Sequence, residues 1–308
     1  MSAEKNQTTL PNLIIAGVHK AGTSSVFTYL SLHPEVCASD VKEIGFFMPL
    51  KFGRAIPPMN EYAAHFNHCN GNKKYVLEAS PSYLYGSEKI GKVLQQELAD
   101  LKLVVILRNP TERLISFYKH EYNNGFLPKE ESFRKFVEKS IPYLKTPDID
   151  KTHENEIYLR GVEEGMYIHY LPYWFNAFGN NLKVVFFEDL QKDTPGFMKE
   201  LCAWLGIDFS VYKPSDFKID NKTTAYKSRV LHSFIYSMYM KSESFWRRNV
   251  KFKRKLRSIY KFIFASSSKG EISDEDYGFA HSLYSEPNKE LKKLLLQNGI
   301  IKLPAWLD

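Results

Sequence analysis

Cysteine is scarce in this sequence: three residues in 308, Cys37, Cys69 and Cys202, with no CxxC among them. So sparse and odd a set argues against a disulfide framework and against a structural zinc site, and it favours a reducing compartment. Long apolar runs are missing too, since no window approaches the roughly 18 uninterrupted apolar residues of a membrane span. The opening MSAEKNQTT lacks the basic-then-apolar layout of a secretory leader, so the expectation is a soluble, cytoplasmic protein. There is no internal repeat and no linker that clearly separates two domains. One domain over 1–308 is therefore expected, with a core at 11–226, a basic helical insertion or lid at 227–269, and a C-terminal helix and tail at 270–308.

What is present is ordinary globular material, 44% apolar and 25% charged, long enough to bury a sizeable core. Aromatic residues reach 15%, enough for aromatic-lined clefts as well as a core. The net charge of +7 is unevenly placed: 227–269 holds twelve Lys/Arg against one acid, leaving 30 basic against 34 acidic side chains elsewhere. The basicity belongs to one segment and not to the fold as a whole. Leu231, Phe234, Ile235, Met238, Phe245, Leu256, Ile259 and Ile263 recur there at roughly helical spacing, which predicts one or two amphipathic basic helices. Such helices could lie on an anionic membrane or an acidic acceptor, or pack as a lid with their charges in water. No recognition motif supports a nucleic-acid role.

Short apolar runs predict strands at Leu13–Ala16, Tyr75–Leu77, Leu101–Leu107 and Lys183–Phe187. Helical patterns predict helices over Ile90–Leu98, Phe133–Ser140, Tyr167–Phe178 and Phe197–Leu205, with a last one over about Phe279–Asn298. Alternation of strands with helices predicts an α/β fold, a central parallel sheet flanked by helices in three layers. Ligands in such sheets bind at the carboxyl ends of the strands. Three polar turns fall there: Gly17–Ser25, Glu78–Tyr83 and Arg108–Ser116.

The first of these reads GVHKAGTSS and lacks what a Walker loop requires. Gly17, Gly22 and Ser24 have the spacing of a triphosphate-binding loop, but Thr23 stands where its lysine belongs and the lysine sits at Lys20. Backbone N–H groups of such a turn, backed by a helix N-terminus, form an anion site, although a strand-to-helix turn can need glycine for its backbone angles alone. A magnesium-holding acid is also missing, since the run LKLVVIL ends in Arg108-Asn109, which suits an anion and not a metal.

GVHKAGTSSVFTYLSLHPEV with KEIGFF, and VVILRNPTERLISFYKHEYNNG, resemble the two signatures of sulfotransferases that use 3′-phosphoadenosine 5′-phosphosulfate. LEASPSYL and VVFFEDL are similar to further blocks of that family, and the closest flavour is the glycan branch with its bacterial relatives. The likeness runs over about Pro11–Asp208 and returns at NKTT (Asn221–Thr224) and more weakly at SSSKG and EPNKEL. The resemblance implies a P-loop-like fold, 3′-phosphoadenosine 5′-phosphosulfate as donor with the bisphosphate as product, and no metal. It implies an acceptor hydroxyl on a glycan or glycolipid, with a small lipophilic alcohol, or a P-loop kinase or nucleotide-binding module, as alternatives.

By the same resemblance Lys20 contacts the bridging oxygen and the 5′-phosphosulfate, and Ala21, Gly22, Thr23, Ser24 and Ser25 cradle the 5′-phosphate. Arg108 and Ser116 match the residues that hold the 3′-phosphate, while Arg113 could equally be structural. Glu43 matches the general base of the glycan branch, or is a surface carboxylate paired with Lys42. His19, His33, His120 and His169 are rival bases, His120 first among them. Lys269-Gly270 matches a late loop that closes over the nucleotide. Two departures put a heparan-like acceptor in doubt: Gly45 stands where those enzymes carry histidine, and Ala79 where they carry lysine.

Overall fold

The computed structural model describes residues 9–69, 73–128, 130–145, 158–217, 225–226, 265–266 and 272–308. The described residues divide into two compact units, one formed by Met1–Leu107 with Tyr173–Asp220 and the other by Arg108–Pro172 with Asn221–Asp308.

The first unit is built on a five-stranded sheet in the order β2-β3-β1-β4-β5, every pairing parallel. Its strands are β1 (Leu13–Gly17), β2 (Val36–Ala38), β3 (Tyr75–Ala79), β4 (Lys102–Leu107) and β5 (Leu182–Phe186). The central strands β1 and β3 are buried along their whole length, and β4 over all but its first residue, because helices cover both faces. β5 alternates buried and half-buried residues, as an edge strand does. The α/β fold with a parallel sheet flanked by helices is as expected.

The helices of this unit are α1 (Thr23–Ser31), α2 (Met48–Lys51), α3 (Met59–Ala64) and α4 (Ser87–Glu97). The chain leaves it at β4 for α5 (Pro110–Asn124) and α6 (Phe133–Ser140), and returns through α7 (Leu171–Phe178) to α8 (Phe187–Lys192) and α9 (Thr194–Leu205). β1 sits at the switch point, with β3 on one side and β4 on the other, so the turn after β1 opens where the connections diverge. Trp174 is fully buried and donates its Nε1–H to the Leu84 carbonyl at 2.9 Å, which ties α7 to the segment after β3.

The second unit packs α5 and α6 with α10 (Asp274–Ser282) and α11 (Ser285–Gln297) around Leu114, Phe117, Phe136, Val162 and Tyr284. A short antiparallel pair, β6 (Ala225–Tyr226) and β7 (Ala265–Ser266), belongs to it as well. The single last helix expected from the sequence is two helices. Pro287 occupies the first turn of α11, and a proline is tolerated there but not in the interior of a continuous helix.

The sequence reading against disulfides is corrected. Cys37 on β2 and Cys69 after α3 are bonded, with Cα atoms 5.7 Å apart, while Cys202 is a buried free thiol. Their separation of 32 residues gives no local signal, since the fold alone brings β2 to the segment after α3. The bond removes the basis on which a reducing compartment was expected. Among the described residues no helix is long and apolar enough to cross a membrane.

Candidate active site

The turn from Gly17 to Gly22 has the backbone of an anion cradle. Gly17 ends β1 with its α-carbon against Leu84, where an added methyl would lie 3.1 Å from the leucine side chain. Val18 N–H donates to the Ile106 carbonyl at 3.1 Å, which fastens the turn to β4. Lys20 (φ +68°) and Gly22 (φ +80°) both adopt the left-handed conformation. Such turns aim successive N–H groups inward. At Gly22 a side chain is excluded for a second reason, since a Cβ would stand 2.8 Å from Leu190 and 3.0 Å from Phe187, both on α8. Gly22 caps α1 without any side-chain hydrogen bond, and the first turn of α1 carries no acid. The helix N-terminus therefore presents its partial positive charge and N–H groups with no carboxylate of its own to neutralise them. Thr23 is buried, Ser25 half-buried and Ser24 exposed.

His19, the neighbour of Lys20 in the chain, links this turn to Glu43. Its Nε2 lies 3.3 Å from Ser82 Oγ and 3.9 Å from Glu43 Oε2, with the ring edge-on to Tyr85. Lys42 Nζ donates to Glu43 Oε1 at 2.8 Å. The pairing weighed from the sequence is thus present, and the lysine side chain is only 9% exposed against 41% for the glutamate. Glu43 is partly open to solvent while its carboxylate is held by Lys42. A cation at one oxygen and His19 near the other hold the carboxylate beside the turn that carries Lys20.

Beneath Glu43 lies a polar network that the sequence did not reveal. Gly45 N–H donates to Ser80 Oγ at 2.9 Å, and Ser80 Oγ donates to Glu78 Oε1. Tyr62 OH on α3 donates to Glu78 Oε2 at 3.1 Å, and Phe47 N–H donates to Tyr83 OH at 3.4 Å. Around it Phe46 stacks on Tyr62, and Phe47 stands edge-on to both Tyr62 and Tyr83. Glu78 is fully buried, and that burial pushes its carboxyl up to about 7, against the opposing hydrogen bonds from Ser80 and Tyr62. The same burial raises the phenols of Tyr62 and Tyr83 well above their usual range.

The two sequence departures also have places here. Gly45 has φ +66°, so a histidine at this position would be strained in this backbone. Ala79 is fully buried at the end of β3.

In the second unit Asn109 caps α5, its side chain accepting from the N–H of Thr111 at 3.0 Å and of Glu112 at 3.3 Å. Tyr167 OH donates to the Arg108 carbonyl at 2.8 Å. The Arg108 guanidinium lies 3.8 Å from Glu112, and Ser116, four residues beyond Glu112, falls on the same helix face. Arg113 is structural: it is fully buried, donates to the Gly161 carbonyl and lies 3.7 Å from Glu164.

Of the rival histidines, His33 is buried with both ring nitrogens in use, one near the Asp208 carbonyl at 3.0 Å and the other accepting from Glu35 N–H. His120 is held by Glu121 at 3.0 Å and by Asn124. His169 is exposed at the surface, and partial desolvation there lowers its imidazole. Lys269, Gly270, Asn221–Thr224 and the predicted basic helices of 227–264 lie outside the described residues. One group among the described residues has ligand atoms converging within 4.8 Å, Cys37, His68 and Cys69, and its two sulfurs are joined in the disulfide.

The sulfotransferase domain, as a family, matches residues 10–261. The chain belongs to the sulfotransferase domain family. This sulfotransferase domain is similar to the bifunctional heparan sulfate N-deacetylase/N-sulfotransferase 2 of Homo sapiens, 27% identical over 67% of this chain and 23% of that protein. It is similar to the membrane-associated sulfotransferase kil1 of Dictyostelium discoideum, 30% identical over 44% of this chain and 29% of that protein. The chain thus spans about a quarter of the length of these curated relatives. Among solved structures, a sulfotransferase from Alicyclobacillus acidocaldarius shares the fold with a TM-score of 0.66 and 21% identity, over 97% of this chain and 100% of that one.

Proposed function

We propose that this domain moves the sulfuryl group of 3′-phosphoadenosine 5′-phosphosulfate to an acceptor hydroxyl. The observation that carries the reading is the left-handed turn at Lys20 and Gly22, closed on an uncapped α1, with Glu43 reached through His19. In this reading the acceptor O–H proton passes to Glu43 as oxygen attacks sulfur, and the bond from sulfur to the 5′-phosphate oxygen breaks. Charge then grows on the leaving phosphate, where Lys20 and the N–H groups of the turn stabilise it more than they stabilise the ground state. A base is needed because a neutral alcohol is a poor nucleophile near pH 7. Arg108 and Ser116 are proposed to hold the 3′-phosphate, and Lys269-Gly270 to close over the nucleotide.

A glycan or glycolipid is the proposed acceptor class, supported by relatives named for heparan sulfate. Gly45 and Ala79 argue that its charged groups are met differently from those of heparan. The basic segment at 227–269 is proposed to meet an acidic acceptor or an anionic surface. A thermal-shift comparison tests the donor: adenosine 3′,5′-bisphosphate should stabilise the protein, and ATP with magnesium should not. Stabilisation by ATP-magnesium alone would replace the reading with a nucleotide triphosphatase. Incubation of radiolabelled donor with lipid, glycan and protein fractions, scored for label, identifies the acceptor.

A further inference from the structure

Glu78 is a full-length carboxyl with no exposed surface, in the second-last position of β3, paired in register with Ile14 of β1. Burying a carboxyl is costly, and this one is compensated by two hydroxyl donors, Tyr62 from α3 and Ser80 from just beyond the strand. Ser80 has one proton. Because that proton is directed to Glu78, the serine lone pairs are turned toward the Gly45 N–H, which they accept at 2.9 Å. Gly45 is two residues past Glu43, and its φ of +66° makes it the bend of that loop.

We propose that Glu78 is a positioning residue for sulfuryl transfer, fixing through Ser80 the loop that holds Glu43. The proposal rests on Glu43 being the base. Among the described residues, the charged or titratable groups that act on the Glu78 carboxyl are Tyr62 from α3, Tyr83 from the segment after β3, and Lys42 and Glu43 from the loop itself. Ionised Glu78 accepts from Ser80 and leaves the serine oxygen to Gly45. Protonated Glu78 carries a proton of its own. Directed at Ser80 Oγ, it reverses that hydrogen bond and makes the serine O–H turn elsewhere, which reorients the lone pair offered to the loop amide. Loss of one proton from Glu78 thus tightens the loop, and gain of one loosens it. Burial is the main cause that pushes the Glu78 carboxyl up; the charge of Glu43 adds to it in a smaller measure and that of Lys42 opposes it.

The test follows the Gly45 amide by NMR in the ¹⁵N-labelled full chain, from pH 5.5 to 8.5, in wild type and in Glu78→Gln, Ser80→Ala and Ser80→Thr. In wild type the Gly45 resonance should titrate with a midpoint near 7, and its exchange protection should rise with pH. In Glu78→Gln the titration should vanish. In Ser80→Ala protection of Gly45 should fall roughly two- to tenfold, and in Ser80→Thr, which keeps the hydroxyl, it should be restored. A Gly45 resonance that is flat in wild type, or that still titrates in Glu78→Gln, would overturn the proposal. So would equal protection in the alanine and threonine variants. Calorimetric binding of adenosine 3′,5′-bisphosphate is measured on the same samples. Its absence from wild type would sink the sulfotransferase reading while the amide titration still decides whether Glu78 governs the loop. With binding intact, turnover on the labelled acceptor should lose its acid limb near pH 7 in Glu78→Gln while the KM for donor stays unchanged. Persistence of that limb would also overturn the proposal.

Discussion

A lysine in the left-handed region is a costly placement, about 1–2 kcal/mol for a residue with a side chain. Lys20 is held there between two segments fixed by other contacts, and its conformation aims the turn inward. Lys20→Gly should therefore melt at or above the wild-type temperature while turnover falls by about 10²-fold or more. Calorimetric melting and single-turnover transfer on the same preparation check both halves. Glu43→Gln should lose turnover with donor binding unchanged, and near-normal turnover would move the search for the base to His19, 3.9 Å away, before His120. At this scale the loop residues were legible in the sequence because their pattern is local. Glu78 was not. LEASP reads as a polar turn, and only Tyr62, sixteen residues earlier, shows why a carboxyl can be buried there.

Elements were legible where they were long or strongly apolar. β4 and α6 fall where periodicity places them, whereas β2 is three residues, too short for any period, and was missed. The caps show how two helix starts serve different ends. α5 begins on Asn109, which satisfies two of its N–H groups, and Asn109→Ala should lower stability by about 1 kcal/mol in chemical denaturation. α1 begins on a glycine that satisfies none with a side chain. Gly22→Ala should be worse than a cap loss, because it meets both an unfavourable φ and the α8 side chains. A drop of roughly 2–3 kcal/mol with loss of bisphosphate binding is expected, read by denaturation and calorimetry.

Over the whole molecule the parallel α/β sheet followed from the alternation of strands and helices, while its strand order and the cross-link did not, since cysteines far apart in sequence carry no mark of meeting. The chain-entropy argument gives the Cys37–Cys69 bond, spanning 32 residues, about 3–4 kcal/mol of stability. Cys37→Ser/Cys69→Ser should unfold at correspondingly lower urea, and reductant should lower the wild-type midpoint but leave that of the double variant unmoved. Stability should also depend on pH through Glu78. Its folded-state carboxyl is raised to about 7 from an ordinary 4.5, so its favourable contribution is complete below the ordinary value and is lost as pH rises through 7. Relative to Glu78→Gln, wild type should lose melting temperature between about pH 5 and 8 and run parallel to it above that.

The contacts of Gly22 set an order of events during synthesis. The turn is translated before the side chains that close over Gly22, since Phe187 and Leu190 follow it by some 165 residues. β5, which completes the sheet, is made in the same late stretch. The loop is thus made well before the packing that finishes it. Nascent or prematurely terminated chains that stop before α8 would carry the lysine and the glycines but not their packed backing, so nucleotide capture would mark full-length chains and not fragments.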